Sequence, residues 1–188
     1  MRRPLLAALF ALLAAVGIAG CSTINAVGAL LGNQLTFTPL QLQGSLDRNF
    51  PKRYDKLGGL VSMTLMNPRL SIPQGSNRLR VDFDVGVGAL GSDSSRPSGR
   101  FGLSSALRFD PSTRGLHLEQ PALENVDVPA FGGVMNTSTR QMLNTWLTDY
   151  ARTEPVYRFD NTLLDRLGSR RVGTTQIQNG LVVVNLDN

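Results

Sequence analysis

Few side chains in this sequence can do chemistry, and their spacing limits which kind. Cys21 is the only cysteine and His117 the only histidine. A lone thiol closes no intramolecular disulfide, and one Cys with one His makes no metal set of the usual kind. His117 stands between Leu116 and Leu118. In a strand, alternation turns it to the side opposite those leucines, so it is read as facing solvent. Asp82 and Asp84 lie two apart, a spacing that suits paired carboxylates sharing acid and base roles. Arg80 shares their face, and Val81, Phe83 and Val85 take the other, so the two acids are read as a solvated strand face. Glu119, Glu124 and Asp127 decorate a later strand in the same way. There is no Gly-x-Ser-x-Gly elbow and no glycine-rich phosphate loop. No catalytic residue, metal or cofactor is therefore expected, and the chain is not read as an enzyme.

Cys21 has a different setting. Met1-Arg2-Arg3-Pro4 is a short positive segment, Leu5 to Val16 is an unbroken apolar run, and Gly17-Ile18-Ala19-Gly20 is mostly small residues ending at the cysteine. Charge, apolar run and small residues in that order make a secretory signal. The apolar stretch is shorter than the roughly 20 residues of a membrane-spanning helix. Ile18-Ala19-Gly20-Cys21 resembles the lipobox of bacterial lipoproteins. That resemblance implies a diacylglycerol thioether on Cys21, cleavage before it, and acylation of the new amine. Two or three chains of buried methylenes, at about 0.8 kcal/mol each, hold where one chain is marginal. Ser22, rather than Asp, follows the cysteine. By the same analogy the protein goes to the inner leaflet of a Gram-negative outer membrane, with its domain in the periplasm.

Ser22 to Gln34 carries no charge and is read as a tether, with a short surface helix through Ile24, Val27, Leu30 and Leu31 as the alternative. The rest, residues 35–188, is one domain of ordinary size, expected to be monomeric. The formal charge of +5 becomes +3 once Arg2 and Arg3 leave with the signal, and the arginines are scattered. That excludes the clustered footprint of a nucleic-acid binder and leaves a bilayer as the natural neighbour.

The elements that position these groups follow from local pattern. Thr38 caps and Pro39 begins a helix with Leu42, Leu46 and Phe50 on one stripe, ended by Pro51. Leu60 to Met66 reads as a strand halted at Asn67-Pro68, with a second short segment at Leu70 and Ile72. Leu79, Val81, Phe83, Val85 and Val87 alternate with Arg80, Asp82, Asp84, Gly86 and Gly88. After a Ser/Gly loop that composition marks as mobile, Phe101, Leu103, Ser105, Leu107 and Phe109 alternate again, and Leu116 to Val128 makes another strand, irregular near Pro121. Gly86, Gly88 and Gly102 are either tolerated at a solvent face or permit a strongly curled sheet. A second helix from Ser138 to Arg152 shows Met142, Leu143, Trp146, Leu147 and Tyr150 on one face. Asp160 caps a short third helix closed by Gly168, and Asn179-Gly180 joins a terminal hairpin.

The order of these pieces resembles the YceB-like family of bacterial lipoproteins. The features that carry the likeness are the lipobox, Phe50-Pro51, Asn67-Pro68 before Leu70-Ser71-Ile72, Arg78-Leu79, Pro155-Val156-Tyr157 and the hairpin. It implies an α+β fold similar to one half of the tubular lipid-binding proteins: a strongly curved antiparallel sheet wrapped against a long amphipathic helix, with shorter helices beside it. It also implies a lipid, fatty acid or other apolar ligand. Leu46, Phe50, Phe83, Val85, Phe101, Leu103, Met142, Trp146 and Tyr150 are the candidate lining. The expected function is therefore a membrane-anchored, non-catalytic carrier of a lipid-like ligand; a packed core needs the same inward apolar residues, so an envelope assembly or interaction factor with a solid core is the alternative.

Cys21→Ala is expected to abolish lipidation and membrane retention. Metabolic labelling with a fatty acid should leave the variant unmarked; a labelled variant would refute the anchor.

Overall fold

The structure is a computed structural model that describes residues 29–56, 61–89, 92–129 and 137–187. The signal, the lipobox residues Ile18, Ala19 and Gly20, and Cys21 lie outside them. In chain order the elements are β1 (Ala29–Leu31), β2 (Gln34–Phe37), α1 (Pro39–Asn49), β3 (Lys52–Lys56), β4 (Val61–Ser71), β5 (Leu79–Ala89), β6 (Gly99–Asp110), β7 (Gly115–Asp127), α2 (Thr137–Thr153), β8 (Tyr157–Arg158), α3 (Asn161–Leu167), β9 (Arg171–Gln178) and β10 (Leu181–Asp187). All pairings are antiparallel, in a four-stranded sheet ordered β1-β2-β10-β9 and a six-stranded sheet ordered β3-β4-β5-β6-β7-β8.

This corrects the expected fold class. The described chain is mostly sheet, its strands are divided between two sheets, and its three helices are short. A long amphipathic helix held by one curved sheet is not what forms. Among the described residues the longest helix, α2, has 17 residues. Pro155 stops it, and Asn144, Thr145, Thr148, Asp149 and Arg152 leave it exposed on one side. The second sheet arises because the expected tether is partly strand. Leu30 pairs with Leu35 in β1–β2, and β2 then pairs with β10 through Phe37↔Val182 and Leu35↔Val184. Leu30 and Leu31 of the alternative surface helix lie in β1, and its Ile24 and Val27 lie outside the described residues.

Local chemistry explains the element boundaries. The Thr38 hydroxyl accepts from Gln41 N at 3.3 Å, and the Gln41 amide oxygen accepts from Thr38 N at 2.8 Å, so two orphan donors of α1 are met reciprocally. Asn67-Pro68 does not end a strand. It is a bulge within β4, where the register against β5 shifts between Met66 and Arg69 and Asn67 takes a φ of 50°. Proline removes a ladder donor there. Gln43 of α1 meets two other backbone groups at the bulge: its amide donates to Pro68 O at 2.7 Å and accepts from Leu70 N at 2.7 Å. The β9–β10 hairpin turns on Asn179 and Gly180, both left-handed at 54° and 74°, as a type I′ turn requires.

Composition marks the Ser/Gly loop as mobile, yet residues 92–98 lie against the outer face of β4 and β5. Ser94 is buried, its Oγ is 2.8 Å from Thr64 Oγ1, and Ser98 N donates to Val85 O at 2.7 Å. Gly86 permits this. A Cβ there would collide with the carbonyl of Ser94 and sit 2.7 Å from that of Arg96.

A fragment beginning at Ala29 should melt higher than one beginning at Leu35. The shorter piece loses β1, the Leu186 N to Asn33 O bond of 2.8 Å and the Arg170 to Gly32 O bond of 2.9 Å. A loss of about 1–2 kcal/mol corresponds to several degrees at this size. Equal midpoints in calorimetry would show that β1 adds nothing.

Candidate ligand site beneath the second helix

Leu143, Trp146, Leu147 and Tyr150 recur at helical spacing and form the buried stripe of α2. Beneath them β5 supplies Phe83 and Val85, β6 supplies Phe101 and Leu103, and α1 supplies Leu46 and Phe50, the cap residue at its end. Eight of the nine candidate lining residues therefore meet in one apolar cluster. The ninth, Met142, lies on α2, but its side chain is outside the described residues.

The rings form a continuous seam. Phe50 and Phe83 have centroids 5.0 Å apart, Phe83 and Phe101 6.1 Å, Phe101 and Trp146 6.0 Å, and Trp146 and Tyr150 5.5 Å. Tyr54 of β3 adds an edge contact to Trp146 at 5.2 Å. All fall within the range of favourable aromatic packing, tilted or edge-on. Between Trp146, Phe101, Val85, Leu143, Met63, Leu65, Val126 and Val128 only about 10 Å³ of cavity is left. That is room for roughly one water, where a small-molecule pocket takes roughly 300–1,000 Å³.

One end of the seam is closed by charge. Lys52 Nζ is 2.7 Å from a Glu154 carboxylate oxygen and 5.9 Å from the ring centroids of both Phe50 and Tyr150. Burial pushes the Tyr54 hydroxyl far above the usual phenol range, and nearby Glu154 adds to the shift. Tyr150 moves the same way through burial, Tyr54 and Glu154. Neither phenol can serve as a base. The Tyr54 hydroxyl is buried without a hydrogen-bond partner.

The groups weighed for chemistry are placed as follows. Asp82 is held by Arg80 through bonds of 2.9 and 3.0 Å, and Arg80 also reaches Glu124 at 3.2 Å. Asp84 accepts from Arg69 at 2.9 and 3.3 Å and from Asn67 at 2.8 Å. Those bonds, Arg69 first and then Asn67, pull the Asp84 carboxyl below its ordinary range. A general acid needs the opposite shift. Among the described residues no His, Cys, Asp or Glu cluster could hold a metal, and no helix is long and apolar enough to cross a membrane. Ser105 does not loosen the interior: its hydroxyl lies 2.7 Å from Ala106 O and 2.9 Å from Glu119 O, at an irregularity of the β6–β7 ladder.

His117 overturns the solvent-facing reading, for it is 0% exposed. The start of β7 is covered on both faces, with Leu116 and Leu118 in the core cluster and the end of α2 over the other side. Nδ1 is 3.0 Å from Ala151 O, in the last turn of α2, and Nε2 is 2.6 Å from Thr113 Oγ1. A carbonyl only accepts, so Nδ1 carries the proton and meets a helix-end carbonyl that lacks an intrahelical partner. The neutral ring then accepts from Thr113.

Tyr54, Met63, Val126 and Val128 also line the residual cavity or its wall and were not singled out from sequence. Tyr54 is the one apolar residue in Lys-Arg-Tyr-Asp-Lys, too short a signal to read. Met63 with Leu65, and Val126 with Val128, keep strand alternation that could have assigned them to this face. No family model and no curated protein matches the chain.

Burial lowers the affinity of His117 for protons, outweighing the Ala151 carbonyl; Arg108 and Arg158 also lower it, and Asp110 opposes them. The unfolded imidazole, near 6.5, takes up its proton first as pH falls. The stabilising contribution is thus complete above about 6.5 and declines below it. Urea melts at pH 7.5 and pH 5 should show that loss, and His117→Gln should flatten it. His117→Ala should cost about 1–3 kcal/mol by stranding buried partners. A cost under about 0.5 kcal/mol would return the residue to the surface class.

Proposed function

We propose that the protein is an acylated envelope lipoprotein whose domain acts, without catalysis, as an interaction or assembly factor with a solid core. The carrying observation is the space of about 10 Å³ left beneath α2 among Val85, Phe101, Trp146 and their neighbours; the hollow of about 340 Å³ that Phe50 lines is bordered by the exposed Asp47, Pro51, Asn67 and Ser95 and lies at the surface. The aromatic side chains spend their surface on one another, and a fatty-acid tail would have to displace them. The signal and the lipobox ending in Cys21 support anchoring in a bilayer, and Ser22 supports the outer membrane with the domain facing the periplasm. The resemblance to the YceB-like lipoproteins supports the same envelope setting.

The competing carrier reading differs in what Trp146 does. In a packed interior Trp146→Ala opens a cavity and costs about 3–5 kcal/mol, and the parent protein takes up no lipid beyond its covalent chains. Denaturant melts of parent and variant, with native mass spectrometry and a fluorescent fatty-acid titration of the parent, measure both. A loss below about 1 kcal/mol, or a stoichiometric non-covalent lipid, would sink the proposal and restore the carrier.

A further inference from the structure

Residues 92–98 cross the outer face of β4 and β5 as a strap, and what they cover is small and polar. Val85 and Val87 turn inward on β5, so Gly86 and Gly88 turn outward, with Thr64 and Ser62 as their partners on β4. All four outward positions are buried, yet none brings a large apolar side chain to the contact. The strap reads Ser-Asp-Ser-Ser-Arg-Pro-Ser. Ser94 is its one buried residue, and Pro97, its one apolar side chain, is exposed.

Hydrogen bonds and close fit hold the strap down. Ser94 Oγ is 2.8 Å from Thr64 Oγ1, Ser98 N donates to Val85 O at 2.7 Å, and Ser98 Oγ accepts from Val87 N at 3.2 Å. The seat is bare backbone, since a Cβ at Gly86 would collide with the Ser94 carbonyl and one at Gly88 with that of Ser92. The Asp93 carboxylate accepts from the Ser95 N–H at 2.8 Å and the Ser95 hydroxyl at 2.7 Å, so the strap keeps its own turn without using the floor. Gly99, the first residue of β6, pairs with Val85 and fixes one end. Each bond to the floor exchanges for one to water at small net cost, and lifting exposes no large apolar side chain of the floor. The strands below differ: Leu65, Val81, Phe83 and Val85 are buried on their other face, and separating the strands would expose them. A segment with few apolar contacts opens at a much lower free energy than the body that carries it.

We propose that residues 92–98 are a lid that lifts off β4 and β5 while both sheets stay folded. Ser95 lies on the rim of the surface hollow of about 340 Å³ that Phe50, Thr64 and Met66 also line. Raising the strap takes that rim away, and the hollow then runs on across Thr64 and Gly86. It also releases the Val87 N–H and the Val85 carbonyl from Ser98. The face therefore has two forms. With the lid down it shows the exposed Asp93 and Arg96; with the lid up it shows hydroxyls and glycine backbone.

Amide hydrogen exchange on the full mature protein in detergent tests this. The amides of Val87 and Ser98 should exchange roughly a hundredfold or more faster than those of Val81 and Leu103, at rates that urea below the unfolding transition leaves unchanged. Ser94→Cys reports on the middle of the strap. Its thiol, read by peptide mass so that Cys21 does not enter, should react with iodoacetamide at a rate equally indifferent to urea. Gly86→Ala denies the strap its seat. It should speed exchange at Val87 and Ser98 by roughly tenfold or more while Val81 and Leu103 stay within about threefold of the parent. One common rate and one common urea dependence for all four amides would show that the strap opens only with the whole domain, and would overturn the proposal. So would a thiol at position 94 that reacts only as urea unfolds the protein, or a Gly86→Ala change that leaves Val87 and Ser98 protected or speeds all four amides alike.

Discussion

Phe37 faces Val182 and Leu35 faces Val184 across the β2–β10 ladder, so the first described strands of the chain are bonded to its last. Much of the architecture depends on this pairing. It seats Phe37 5.0 Å from Tyr157 and 5.6 Å from Phe159, and Phe159 lies 5.0 Å from Phe109 of β6. The aromatic group so formed joins the four-stranded sheet to the six-stranded one. It also fixes β9 beside β6 without a hydrogen-bonded ladder between them. Without β2, β10 would lose a neighbour on one side, and its run from Leu181 to Val184 would lack the cover that a doubly apolar strand needs.

The second aromatic group, from Phe50 to Tyr150, fills the space under α2. What keeps this interior solid is the handling of its polar intrusions as well as the rings themselves. His117 meets a helix-end carbonyl and a threonine hydroxyl, Ser105 meets two carbonyls, and Gln43 pairs with Pro68 O and Leu70 N at the Asn67-Pro68 bulge. Each is a buried group whose desolvation is offset by a hydrogen bond. The Tyr54 hydroxyl is the exception along the seam. Its ring packs on Trp146, and the geometry of that contact carries the oxygen inside without supplying a partner.

Local signals were legible in the sequence, and non-local ones were not. The cap at Thr38, the alternation around Phe83 and Phe101, the stripe through Trp146 and the Asn179-Gly180 turn are each decided within a few residues, and the structure has them. β1, β2 and β3 are three to five residues long, and what makes them strands is a partner far away in sequence. Asn67-Pro68 read as a stop because a proline removes a donor, and Gln43, which pairs with Pro68 O and Leu70 N and so carries the strand through the bulge, sits on another element. His117 read as exposed because alternation names two faces but does not say whether both are covered. The candidate site was legible as a set of inward residues. Whether that set encloses a void is a matter of volume, which depends on how α2 sits on the sheets and has no sequence signature. The expected fold class failed for a related reason: the likeness lay in the order of pieces, and order does not say which strands share a sheet.

The start of β1 at Ala29 has a mechanical meaning. If Cys21 is held in a bilayer as proposed, only residues 22–28 separate the lipid from the first described strand. At about 3.3–3.6 Å per residue a chain of that length extends less than about 30 Å even when fully stretched. On the proposed anchoring the body would not diffuse freely through the compartment beside the membrane. It would skim the surface, any search for a partner would be confined to a thin slab, and a target also tied to that membrane would be met at an effective concentration far above its bulk value. Contacts too weak to matter between free molecules become sufficient on such a short leash.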